Sequence, residues 1–112
     1  MLPKLSAEQA KDLLHEVERE VARWVSEPGA VEVILGYDLE DYDNIRKIII
    51  REVNFYVYYE DSTAYIQFSA FNGKEEDELS VLDTIHSVVF LEDKIEITTT
   101  SNFRCLIRRC LL

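Results

Sequence analysis

The clearest pattern of apolar and polar positions in this chain runs from Val53 to Phe71, VNFYVYYEDSTAYIQFSAF. Val53, Phe55, Val57 and Tyr59 alternate with Asn54, Tyr56 and Tyr58. After the polar segment that follows, Ala64, Ile66, Phe68 and Ala70 alternate with Tyr65, Gln67 and Ser69. Period-two alternation on both sides of a short polar segment predicts a β-hairpin with one dry face and one tyrosine-rich face. A turn at Asp61-Ser62 pairs Tyr59 with Ala64, Val57 with Ile66, Phe55 with Phe68 and Val53 with Ala70, and sets Tyr58 opposite Tyr65. A slip of a single residue would carry Phe68 to the polar face, so the pattern dictates the parity of the pairing.

The apolar period changes toward the N-terminus. Ala10, Leu13, Leu14, Val17, Val21, Trp24 and Val25 follow a 3.6-residue repeat, which predicts an amphipathic helix over 7–26. Ser6 and Gln9 form an S-x-x-Q capping box at its start, Leu5 and Ala10 stand at staple positions, and Pro28-Gly29 lies just past its end. Its apolar stripe is expected to lie on the dry face of the hairpin. Val31, Val33, Leu35 and Tyr37 alternate over a strand of 30–37. Ile45–Glu52 is read as a further strand, because three consecutive isoleucines favour a pleated surface, although Ile45, Ile48, Ile49 and Glu52 also fit helical spacing. A bend near Arg51-Glu52 is then needed to keep Arg51 off the dry face.

Asn72–Glu78 reads as a turn or loop, and Leu79–Ser87 fits a short helix or a strand. Val88, Phe90, Ile95 and Ile97 predict a second hairpin turning at Glu92-Asp93. Phe103, Leu106, Ile107, Cys110 and Leu111 fit a short C-terminal helix capped by Ser101 or Asn102, while Phe103, Cys105 and Ile107 also alternate as a closing strand would. The order predicts one α+β domain spanning residues 1–112. In it an N-terminal amphipathic helix packs on a curved antiparallel sheet of five or six strands, closed by a short C-terminal helix or strand.

Composition narrows the function classes. The chain has 112 residues, 47% of them hydrophobic, with only three Gly and two Pro, which argues against disorder. No apolar run reaches the ~20 residues of a membrane span, and the N-terminus lacks the basic-then-apolar form of a signal peptide. The expected location is the cytoplasm. The net charge is −10, which disfavours direct contact with DNA or RNA phosphates. All 22 acids lie in residues 1–96 with nine bases, whereas residues 97–112 hold three arginines and no acid. The basic end is expected to pair with the acidic body; a small anion-facing patch is the alternative.

Candidate chemistry is sparse. Asp38, Glu40, Asp41 and Asp43 miss the spacing of a calcium loop, since Ile45 and Arg46 occupy ligand and glycine positions. They read as a solvated turn. Cys105 and Cys110 match no common zinc spacing and are expected to be reduced structural thiols. His15 lies off the helix stripe and reads as a surface residue. His86 shares the parity of Val88 and Phe90, so it is expected to face the interior near Asp83 or a tyrosine. No glycine-rich phosphate loop or catalytic elbow is present. No cofactor or metal is expected.

The tyrosine face is the candidate binding surface: Tyr56, Tyr58, Tyr65, Gln67 and Phe71, rimmed by Glu52 and Glu60. Tyrosine brings apolar area and a hydroxyl at low entropic cost, which is why it recurs at binding hot spots. It also suits the wet face of an ordinary sheet. The function expected is a non-catalytic acidic interaction module, such as a small regulator, inhibitor or immunity-type protein, that meets a basic partner or a second copy of itself in a homodimer. The alternative is a small-ligand binder or enzyme with a pocket between helix and sheet lined by Tyr37, Tyr59 and His86.

Overall fold

A computed structural model describes residues 2–26, 30–37, 46–50, 52–58, 63–71 and 76–110. Among the described residues one helix is followed by seven strands. Helix α1 is Ala7–Ser26, over the span its periodicity predicts. The capping box at its start is reciprocal: the Gln9 amide donates to Ser6 Oγ at 3.2 Å, and the Ser6 amide donates to Gln9 Oε1 at 3.1 Å. Ala10, Leu14, Val17, Val21 and Trp24 are buried along one stripe, with Leu5 and Val25 packed beside them. His15 on the opposite side is exposed.

The strands are β1 (Ala30–Gly36), β2 (Arg46–Ile50), β3 (Glu52–Tyr58), β4 (Thr63–Phe71), β5 (Glu76–Phe90), β6 (Lys94–Thr99) and β7 (Arg104–Cys110). They form an antiparallel sheet in the order β2-β1-β7-β6-β5-β4-β3. Strands β2 and β3, consecutive in the chain, therefore sit at the two ends of the sheet. Ile50 and Glu52 are only two residues apart, so their Cα atoms lie within about 7 Å of each other. The two ends can meet only if the sheet curls, and β2 does approach β4. The chain passes from one end of the sheet order to the other between Ile50 and Glu52, where a bend is expected. Arg51 itself lies outside the described residues, as does the acidic segment 38–45.

The helix lies inside the curl, against β1, β3 and β5. The inner face carries Val31, Val33 and Leu35 of β1, Ala64, Ile66 and Phe68 of β4, Ile85 of β5, Ile95 and Ile97 of β6, and Cys105 and Ile107 of β7. All are buried in one cluster with the helix stripe. The sheet's inward positions and the helix stripe therefore fill each other, as the sequence pattern implied. No described helix is long and apolar enough to cross a membrane.

Four expectations change. The first hairpin pairs Tyr58 with Thr63, Val57 with Ala64, Tyr56 with Tyr65 and Phe55 with Ile66. That is a slip of two residues from the predicted register, which keeps each residue on its predicted parity while changing its partner. The acids Glu76–Glu78 belong to β5, which runs unbroken for 15 residues, so Leu79–Ser87 is strand and not helix. The C-terminal stretch is a strand, β7, because β1 and β6 flank a gap that only a further strand could fill with ladder hydrogen bonds. Asn102, with φ of 66°, lies in the β6–β7 turn instead of capping a helix. Among the described residues the strands number seven, one or two more than expected. The second hairpin turns as predicted, the Leu91 amide donating to the Lys94 carbonyl at 2.9 Å.

Candidate outer-face binding surface

The outer face of β4 presents Thr63, Tyr65 and Gln67, all half-buried, between the buried Ala64, Ile66 and Phe68. Across the ladder, Tyr65 meets Leu82 of β5 and Thr63 meets Thr84. The threonine hydroxyls are 3.3 Å apart. On the other side Tyr56 is the register partner of Tyr65, and Asn54 of Gln67. Of the five residues predicted for this surface, Tyr65 and Gln67 lie on the outer face. The side chains of Tyr56, Tyr58 and Phe71 lie outside the described residues, but the backbone register sets Tyr56, not Tyr58, beside Tyr65.

Leu82 is the residue that sequence reasoning missed. It is 64% exposed, although it sits within the longest strand and directly across from a tyrosine. The signal was its alternation with Ser80 and Thr84, hidden while Leu79–Ser87 was ambiguous between helix and strand. Farther along the outer side of β5, Val89 is also exposed, as is Leu91 in the turn that follows.

A second part of the outer face answers the charge asymmetry. Glu32 of β1 is buried at 4% exposure and lies in register with Arg108 of β7, whose guanidinium donates to Glu32 Oε1 at 2.6 Å. Lys94 continues this row on β6 and pairs with Glu96 at 3.9 Å. One arginine of the basic end is therefore paired with an acid of the body.

The remaining candidates are dispersed. A β-bulge between Ile85 and Ser87 breaks the parity of β5, so His86 is half-buried and its Nδ1 bonds the Pro3 carbonyl at 2.6 Å, with no described contact to Asp83. Together with the Leu5 amide on the Ile85 carbonyl, this bond ties the N-terminal segment to β5. Asp83 accepts from Ser101 Oγ at 2.5 Å and from the Thr84 amide at 2.7 Å. Partial burial raises its carboxyl, but hydrogen bonds from Ser101, Thr99 and Thr84 outweigh that and hold it below the usual carboxylate value. Cys105 is a buried free thiol whose pKa is driven upward by burial, which suits packing and not nucleophilic attack. Cys110 lies at the end of β7 with its side chain outside the described residues.

Tyr37 is exposed and meets Phe103 edge-on, ring centroids 5.1 Å apart. The pocket reading that groups it with His86 and Tyr59 therefore has one member at the surface and one tied to Pro3, while Tyr59 lies outside the described residues. A groove of about 300 Å³ runs between the second half of α1 and the β5–β6 turn, lined by Glu16, Arg19, Glu20, Trp24, Phe90, Leu91 and Ile95. Its volume is at the lower limit for ligand pockets. Among the described residues no group of His, Cys, Asp and Glu is arranged to hold a metal ion. No family model, curated protein or solved structure matches the chain.

Proposed function

We propose that this protein is a non-catalytic acidic interaction module that binds a basic protein partner through the outer face around Tyr65, Gln67 and Leu82. The observation that carries the reading is Leu82, 64% exposed beside Tyr65 in the body of the sheet. An exposed leucine against a tyrosine, with polar Thr63, Thr84 and Gln67 around them, has the composition of an interface centre and rim. The net charge of −10 supports a basic partner, because complementary charge speeds encounter and disfavours wrong partners. The same charge opposes association with a second copy, so a homodimer through this face is the weaker reading. The filled contact between helix and sheet supports a surface in preference to a ligand cavity. The buried free thiol of Cys105 is in keeping with a reducing compartment, and we place the protein in the cytoplasm.

Leu82→Glu and Tyr65→Glu are the test. Affinity capture from cell extract by the wild type should retain basic proteins that both variants release, with all three forms folded and sedimenting as monomers. If folded variants retain the same proteins as the wild type, this surface is not the interface. A wild-type dimer that both variants dissolve would make the partner a second copy.

A further inference from the structure

We infer that the N-terminal half of β5 takes up an extended basic segment of a partner protein as an added strand. This rests on the interaction reading above and names its mode. β5 is longer than either neighbour can cover. On one side β4 pairs with it from Glu76 to Thr84; on the other, β6 pairs only from Ile85 to Phe90. After Thr99 the chain turns away at Thr100–Asn102, and among the described residues nothing continues the ladder alongside Glu76–Asp83.

The backbone hydrogen bonds show which groups face this open row. The Thr84 carbonyl accepts from the Thr100 amide, so it points to the β6 side, whereas the Ile85 carbonyl accepts from the Leu5 amide on the opposite side. In an antiparallel strand a residue's N–H and C=O point the same way, and the direction alternates along the chain. Glu76, Glu78, Ser80 and Leu82 therefore direct their amides and carbonyls to the open row, while Asp77, Leu79, Val81 and Asp83 are used by β4. A row of alternating donors and acceptors at ladder spacing is complementary to one thing, the backbone of another extended chain.

The charge of the stretch selects the occupant. Residues 76–83 hold four acids and no base. Like charges disfavour pairing with the same edge of a second copy, and charged residues on an edge strand block self-association in the same way. A strand rich in Lys or Arg meets both the hydrogen bonds and the charge. The exposed Leu82 side chain, at the end of the row where β6 departs, supplies an apolar contact for it.

Amide hydrogen exchange on the intact chain tests this, first alone and then with a synthetic peptide of alternating lysine and valine. In the free protein the amides of Glu78, Ser80 and Leu82 should exchange at least about tenfold faster than those of Leu79 and Val81, which β4 protects. The peptide at millimolar concentration should slow the first three by about tenfold or more and leave Ile66 and Phe68 unchanged. The same peptide N-methylated on one edge keeps its charge but loses its donors, and should give no protection. Protection of Ser80 and Leu82 in the free protein would mean that the row is already covered, and would overturn the proposal. Equal protection by the methylated peptide, or none by either, would also overturn it. Peptide-induced shifts confined to the Tyr65 and Leu82 side chains would remove strand addition and leave the outer-face reading standing. Loss of capture in neither Leu82→Glu nor Tyr65→Glu would remove that reading instead.

Discussion

Truncating Phe68 to alanine tests the division of the sheet into an inner and an outer face. Phe68 is fully buried on β4, packed in the cluster that joins helix and sheet. Moving a phenylalanine side chain from water to the interior is worth about 1.5–3 kcal/mol. The cavity left in a core that only partly relaxes brings the total loss to about 3–5 kcal/mol. Leu82, on the adjacent strand, is 64% exposed, so Leu82→Ala forfeits only about a third of a leucine's burial, under about 1 kcal/mol. A domain of this size has about 5–15 kcal/mol of stability and shifts its Tm by about 4 °C per kcal/mol. Phe68→Ala should therefore lower Tm by about 12–20 °C and Leu82→Ala by less than about 4 °C. Thermal and urea unfolding followed by far-ultraviolet circular dichroism measures both, and an unchanged urea slope shows that the shifts report stability. Comparable midpoints for the two variants would refute the face assignment.

Three further outcomes follow from single contacts. Trp24 Nε1 is buried with no acceptor among the described residues, and Trp24→Phe removes that donor while opening a small cavity. The two effects offset, so the cost should stay within about 1 kcal/mol, whereas Trp24→Ala should cost about 3–5 kcal/mol in urea unfolding. Ser6→Ala removes the cap oxygen from the Gln9 amide and should cost about 1 kcal/mol by the same assay; an unchanged midpoint would mean that the capping box adds nothing. The lowered carboxyl of Asp83 contributes stability that is present above its usual pKa and lost as pH falls through the depressed folded value. Ser101→Ala should raise that carboxyl in a carbon-detected NMR titration and flatten the acid limb of stability, and an unmoved titration would show that Ser101 does not hold it.

The parts of the fold written by local pattern were readable from the chain. Helix α1 declared itself through a capping box, a seven-residue stripe and a Pro-Gly stop, three independent signals in agreement. The inward parity of Ala64, Ile66 and Phe68 followed from alternation alone. Partners were less legible than parity. A slip of two residues exchanges Phe68 for Ile66 opposite Phe55, and both registers bury the same face, so hydrophobic pattern cannot choose between them. The C-terminal stretch had two valid periods at once, and only the gap between β1 and β7's other neighbour, β6, decides for a strand. Tyr65 and Gln67 were found for the candidate surface because they alternate with buried residues. Leu82 was not, because its exposure is set by a strand that continues through an acidic run.

The mismatch in strand lengths explains where the open row on β5 arises. β2 and β3, the two ends of the sheet, are separated by a single residue in the chain, and the curl brings β2 toward β4. On β5, unmet backbone appears where two neighbours of unequal length share one long strand. β5 has 15 residues and β6 only six, and the bulge at His86 together with the turn at Thr100 keeps β6 from following it further. The Leu5 amide and the His86–Pro3 bond tie the N-terminal segment to β5 on the side that β4 leaves at Thr84, but nothing comparable lies along Glu76–Asp83 among the described residues. Four acids in that stretch serve two ends with one charge. They keep like edges from pairing, and they leave a basic strand as the complement that the fold can accept.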